Sequence, residues 1–145
     1  GIFIPIAFVL ASMLGVGTHL ATLNLSGVEL GVSGSVLLFG ILLTLKKRPN
    51  TATLVCLSAI AGLFHGYAYG ESIFGAETTP LLAYLLGFTV IQLVVTMTVF
   101  GLSKKFLSGE AQLPIGRSAG FVLSGIGLAF LASAMVNVIF PLPKG

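Results

Sequence analysis

The chain has 145 residues, of which 56% are hydrophobic and only 8% are charged, and its formal net charge is +3. Its mean hydropathy of +1.10 lies far from the average of soluble proteins. This composition excludes a soluble globular domain and predicts an integral, multi-pass membrane protein. The few cations form no basic stripe with interleaved aromatic residues, so nucleic acid is not an expected partner.

The charged residues fall in clusters and leave five apolar segments between them. A helix needs about 20 residues to cross a hydrocarbon layer roughly 30 Å thick, and every segment meets this need, the second only marginally. Residues 36–43 and 126–131 contain no polar side chain, whereas the strands of a β-barrel alternate polar and apolar residues. We therefore predict an all-α, polytopic transmembrane helix bundle that forms a single domain over residues 1–145. Its helices are expected near Ile2–Leu23, Val28–Leu45, Ala52–Tyr69, Pro80–Ser103 and Gly116–Phe140.

The positions of the cations predict the orientation of these helices. Short loops rich in lysine and arginine stay on the cytoplasmic side of a membrane. Lys46, Lys47 and Arg48 follow the second helix, and Lys104 and Lys105 end the fourth. Five alternating spans place both clusters on one side, which we take as cytoplasmic together with the amino-terminal end of the first helix.

Small residues recur along the helices at spacings that allow close approach of two backbones. Examples are Gly66 with Gly70, and Gly120 with Ser124. Such spacing is common in membrane bundles and predicts helix packing rather than a transport path. The single cysteine, Cys56, allows no internal disulfide, and its place within a helix predicts a packed thiol.

Five polar side chains are expected at one level, near the non-cytoplasmic ends of the first three helices: His19, Glu29, His65, Tyr69 and Glu71. His65 and Tyr69 are four residues apart and share one helical face. Glu71 reaches that face only if the helix frays near Gly70, which a glycine makes plausible. Imidazole and carboxylate ligands together suit nickel, cobalt or zinc, whereas calcium and magnesium require more oxygen ligands.

A structural role for the same residues is at least as common. His65 could instead hydrogen-bond a neighbouring helix, and Glu71 could be a solvated loop residue. For His19 and Glu29 taken singly, the structural role is the favoured interpretation.

Residues 64–71, with the sequence Phe-His-Gly-Tyr-Ala-Tyr-Gly-Glu, resemble the F-H-G-x-A-x-G-x-E signature of the HupE/UreJ family of hydrogenase and urease accessory proteins. Further similarity to family segments lies at Ile4–Phe8, Gly27–Ser35 and Tyr84–Phe88. The resemblance implies a nickel or cobalt permease in which His65 contacts the metal near the outer mouth. Glu71 and Glu29 are added as metal candidates because they are expected at the level of His65.

The chain departs from the family pattern in three respects. The family motif H-P-x-x-G-x-D-H has no counterpart here, and a sixth helix ahead of Gly1 would restore the family topology. Tyr69 stands where many members carry another histidine. The signature's glutamate falls on Ser72, so that the carboxylate of Glu71 comes one residue early.

The function expected from these observations is a membrane permease for a divalent metal ion, nickel or cobalt, in a bacterial inner membrane. No ATP-binding pattern and no catalytic arrangement occurs in the sequence, so neither an enzyme nor a permanently bound cofactor is expected, and the metal is cargo. The expected partners are the lipid bilayer, the metal ion and further copies or other membrane subunits. The alternative is a small structural subunit of a larger membrane assembly.

Overall fold

The computed structural model describes residues 2–21, 23–73, 78–106 and 112–141, and all its regular elements are α-helices. They are α1 (Phe3–Leu20), α2 (Val28–Thr44), α3 (Thr51–Ser72), α4 (Thr78–Phe106) and α5 (Gln112–Ile139). The prediction of an all-α protein with five helices is confirmed. The segment between α3 and α4, residues 74–77, lies outside the described residues.

Four of the helices are long and apolar enough to cross a membrane. The remaining helix, α2, is shorter and has 17 residues. At 1.5 Å per residue it extends about 26 Å, which is slightly less than the hydrocarbon thickness. The structure thus confirms the marginal length predicted for the second segment.

Local sequence explains where α2 and α3 begin. Gly27 precedes α2 with a φ of 75°, in the left-handed region that glycine adopts without steric penalty. Asn50 precedes α3, and its side-chain oxygen accepts a hydrogen bond of 2.8 Å from the backbone nitrogen of Thr53. Asparagine is among the preferred residues at this position because it satisfies a backbone donor that has no partner within the helix.

The helices divide into two compact units, of which the first contains α1, α3 and α4. In this unit α1 and α3 run parallel. Ser58 donates a hydrogen bond of 2.8 Å to the carbonyl of Ile4 near one end of the pair, and Gly70 lies against the His19 side chain near the other. Gly66, between them, faces the Ser12 backbone so closely that a β-carbon there would overlap it. Small residues therefore permit this close pairing, as expected.

The second unit pairs α2 with α5 in antiparallel orientation. Gly127 faces Leu37, Gly40 faces Ser124, and Gly120 faces Thr44, so the residue numbers rise along one helix and fall along the other. This orientation and the parallel orientation of α1 and α3 are those that alternately oriented spans require.

The surfaces of α4 and α5 are rich in exposed large apolar side chains, among them Leu86, Ile91, Phe121 and Phe130. On a membrane protein such surfaces face lipid or other apolar helices. Cys56 of α3 is also exposed, so the prediction of a packed thiol is wrong. A position inside an apolar helix does not reveal which side of that helix faces another one.

Candidate metal site

His65 lies on α3, about 7.5 Å along the helix from Gly70, toward the interior of the span. Its imidazole ring is half-buried and packs against the ring of Phe8 on α1, with the ring centroids 5.5 Å apart and the planes tilted by 59°. An imidazole is a polar group with a nitrogen that can ligate a metal ion, and here it lies inside an apolar segment. Such residues in membrane spans commonly serve function.

Tyr69 lies one helical turn from His65 and connects α3 to α4. Its ring stacks on Phe88, with centroids 4.0 Å apart, and on Tyr84, with centroids 5.6 Å apart. The hydroxyl of Tyr69 also donates a hydrogen bond to the hydroxyl of Tyr84. In place of the second histidine of the family pattern, the chain thus has an aromatic stack between two helices.

Glu71 does not join His65. Helix α3 continues through Gly70 to Ser72, so the expected fraying does not occur. In a continuous helix, six residues turn through about 240°, which directs Glu71 away from the face of His65. The side chain of Glu71 is exposed. Gly70 serves close packing instead, because a β-carbon there would lie 2.9 Å from Cβ of His19.

Glu29 lies in the first turn of α2, in the second unit, and its side chain is exposed. A carboxylate at this place interacts favourably with the positive end of the helix dipole. Its backbone carbonyl accepts a hydrogen bond of 2.6 Å from Ser33. That Glu29 shares a level with His65 stays a prediction.

His19 and Tyr67 form a second aromatic contact, between α1 and α3. The His19 ring meets the Tyr67 ring edge to face, with centroids 4.8 Å apart. Tyr67 is only 4% exposed, and its hydroxyl donates a hydrogen bond of 2.8 Å to the carbonyl of Leu23 and accepts one of 3.1 Å from the nitrogen of Leu25. Tyr67 therefore fastens the segment after α1 to α3. This role of Tyr67 is not among the predictions from the sequence. The only signal for it is a tyrosine on a helix face that is otherwise buried.

Replacing Tyr67 by phenylalanine should lower the free energy of unfolding by about 1–2 kcal/mol, because one change removes both hydrogen bonds and leaves a carbonyl and an N–H group without their partner. Thermal unfolding of the purified protein in detergent measures this. Tyr84→Phe, which leaves the Tyr67 bonds intact, is the control. Equal stability of Tyr67→Phe and the wild type would show that these bonds contribute nothing.

The residues that the structure describes do not bring together three or more His, Cys, Asp or Glu side chains in a group that could hold a metal ion. Of the three metal candidates from the sequence, His65 alone lies inside the helix packing of the first unit, whereas Glu71 is exposed on another face of α3.

Comparison with known proteins gives one match. A family model described as HupE / UreJ protein matches residues 1–130 of the chain. No curated protein and no solved structure matches significantly.

Proposed function

The chain belongs to the HupE/UreJ family, and on that premise we propose that it is a membrane permease for a divalent transition metal ion, nickel or cobalt. The observation that carries the proposal is His65, a half-buried imidazole within a membrane-spanning helix, in the segment that resembles the family signature. Borderline metal ions bind imidazole nitrogen well, and magnesium and calcium do not.

The form of the site supports transport rather than storage. Passage requires binding that is strong enough for the ion to enter and weak enough for it to leave. An imidazole that, among the described residues, belongs to no group of three or more His, Cys, Asp or Glu side chains meets that condition, whereas a complete four-ligand site would retain the ion. In this proposal the metal is cargo, no residue is catalytic, and the protein resides in a bacterial inner membrane.

A structural subunit of a larger membrane assembly is the second candidate. The observation in its favour is α4, whose membrane-spanning part between Ala83 and Leu102 has no buried residue. Other subunits or further copies of the chain could cover that surface, as lipid could. In this alternative His65 would act as a packing residue against Phe8 and would contact no metal.

Uptake of radioactive nickel and cobalt by cells that express the protein tests the proposal against this alternative. We expect uptake above that of cells carrying the empty vector, at a membrane expression level verified by immunoblot. Excess unlabelled magnesium should not compete. Good expression without uptake of either metal, combined with purification only together with other membrane proteins, would favour the structural subunit.

A further inference from the structure

Side-chain contacts between α3 and α4 occur near the outer ends of the two helices. At the outer level, Tyr69 of α3 stacks on Tyr84 and Phe88 of α4. The two helices run antiparallel, so the next level inward comes one turn earlier on α3 and one turn later on α4. These positions are His65, four residues before Tyr69, and Gln92, four residues after Phe88. Residues four apart share a helical face, so His65 and Gln92 are expected to face each other at this level.

Helix α1 contacts both of these residues. Its residues Phe8 and Ser12 are also four apart and share a face. The Phe8 ring packs on the His65 ring, and the Ser12 hydroxyl lies 3.4 Å from Oε1 of Gln92. Two residues one turn apart on α1 thus contact His65 on α3 and Gln92 on α4, which brings both side chains against the same stretch of α1.

The backbones of α3 and α4 do not pack closely against each other. Among the described residues, no Cα atom of α3 lies within 8 Å of a Cα atom of α4. Directly packed helices lie 8–10 Å apart between axes and bring some Cα atoms closer than that. Long side chains, and not direct helix packing, therefore bridge the two helices.

The structural role visible for Gln92 is a single weak contact. It lies at the middle of the span Ala83–Leu102, where a carboxamide is costly unless it is hydrogen-bonded. The hydroxyls of Thr89 and Thr98 on the same helix donate hydrogen bonds to the backbone carbonyls four residues earlier. Gln92, with its longer side chain, makes no such bond in the part of the chain that the structure describes. The one hydrogen bond recorded for Gln92 in the described chain is the 3.4 Å contact with Ser12, which is at the long limit of a hydrogen bond.

We propose that Gln92 is a second metal-contacting residue, which offers its amide oxygen to the transported ion opposite the imidazole of His65. This inference rests on the proposed function and adds a residue that the family signature does not contain. Both donors are neutral, so the ion keeps its full charge at this level and is bound weakly. The aromatic stack of Tyr69, Tyr84 and Phe88 lies on the outer side of the pair.

Metal uptake by Gln92 variants tests the role of the amide oxygen. Gln92→Leu should raise the half-saturating concentration of nickel by about tenfold, the loss expected for one contact of roughly 1.4 kcal/mol. Gln92→Glu, which restores an oxygen donor, should recover most of the affinity. Thr98→Val is the control for loss of a polar group elsewhere on α4. Wild-type affinity of Gln92→Leu, in a protein that transports nickel through His65, would overturn this inference alone, whereas a wild type without uptake would overturn the proposed function.

A cross-linking measurement tests the placement without transport. In a Cys56→Ser background, His65→Cys and Gln92→Cys should be bridged by a short bifunctional methanethiosulfonate, seen as a single added linker in the intact mass. The matched control pairs His65→Cys with Val90→Cys, since Val90 lies about 200° around α4 from Gln92 and is 57% exposed. Each cysteine of the control should take up a separate reagent molecule. Equal bridging of both pairs, or of neither, would overturn the proposed opposition of His65 and Gln92.

Discussion

Gly66→Ala is expected to destabilise the protein by at least about 1–3 kcal/mol, the range for overpacked interiors. The sign is informative, because alanine has the higher helix propensity and stabilises an exposed helix position by about 1 kcal/mol relative to glycine. At Gly66 the added methyl group would overlap the backbone of Ser12, and a backbone can yield only if the whole of α1 moves. Loss of the α1–α3 pairing outweighs the gain in propensity.

The matched control is Gly17→Ala on α1, where a β-carbon would have no neighbour within 4 Å. This variant should be as stable as the wild type or slightly more stable. Thermal unfolding of both variants in the same detergent, together with the yield of monodisperse protein, provides the comparison. If Gly66→Ala proved as stable as Gly17→Ala, the close approach of α1 and α3 would be contradicted.

His65→Ala is expected to reduce nickel and cobalt uptake by at least about tenfold, which corresponds to a lost interaction of 1.4 kcal/mol or more. Among the described residues of α3, His65 is the histidine, and it lies one turn before Tyr69, whose ring contacts α4. Without it, the ion loses its strongest ligand inside an apolar segment, where desolvation is most costly.

Glu71→Gln is the matched control for His65→Ala. Because Glu71 is exposed on another face of α3, its replacement should reduce uptake less than the loss of His65 does. His65→Asn keeps a polar side chain of similar size and should still transport poorly if metal binding, and not packing against Phe8, is what His65 contributes. Undiminished uptake by both His65 variants at normal expression would remove His65 from the site.

The helices could be predicted from the sequence because the physical constraint on them is simple. An apolar segment in lipid must satisfy its own backbone, so the length of each apolar run fixes a helix to within a few residues. The Gly66–Gly70 spacing likewise indicated close packing. Which helix would be the partner could not be predicted, because similar small-residue spacings occur on several helices and each could in principle pair with another.

The parts of the candidate site that escaped prediction depend on contacts between distant residues. Gly70 was expected to weaken the end of α3, yet the His19 side chain packs against it and the helix continues. The partners of the Tyr67 hydroxyl precede it by 42 and 44 residues. Gln92 is a single polar residue in an apolar run, and its proximity to α1 and to the level of His65 depends on the stacking of Tyr69 on Phe88 and on the contact with Ser12.

The order in which the helices pair has a consequence for how the protein is made. Helix α1 pairs with α3 and α2 pairs with α5, so the two pairings interleave along the chain. During synthesis, α1 is inserted before α3, so it stays unpaired while α2 is inserted. The α1–α3 pair can form only after α3 has been synthesised. Helix α2, with Gly40 and Leu37 on its pairing face, waits until α5 is complete. Until then the pairing face of α2 is without its final partner and contacts lipid or other membrane proteins.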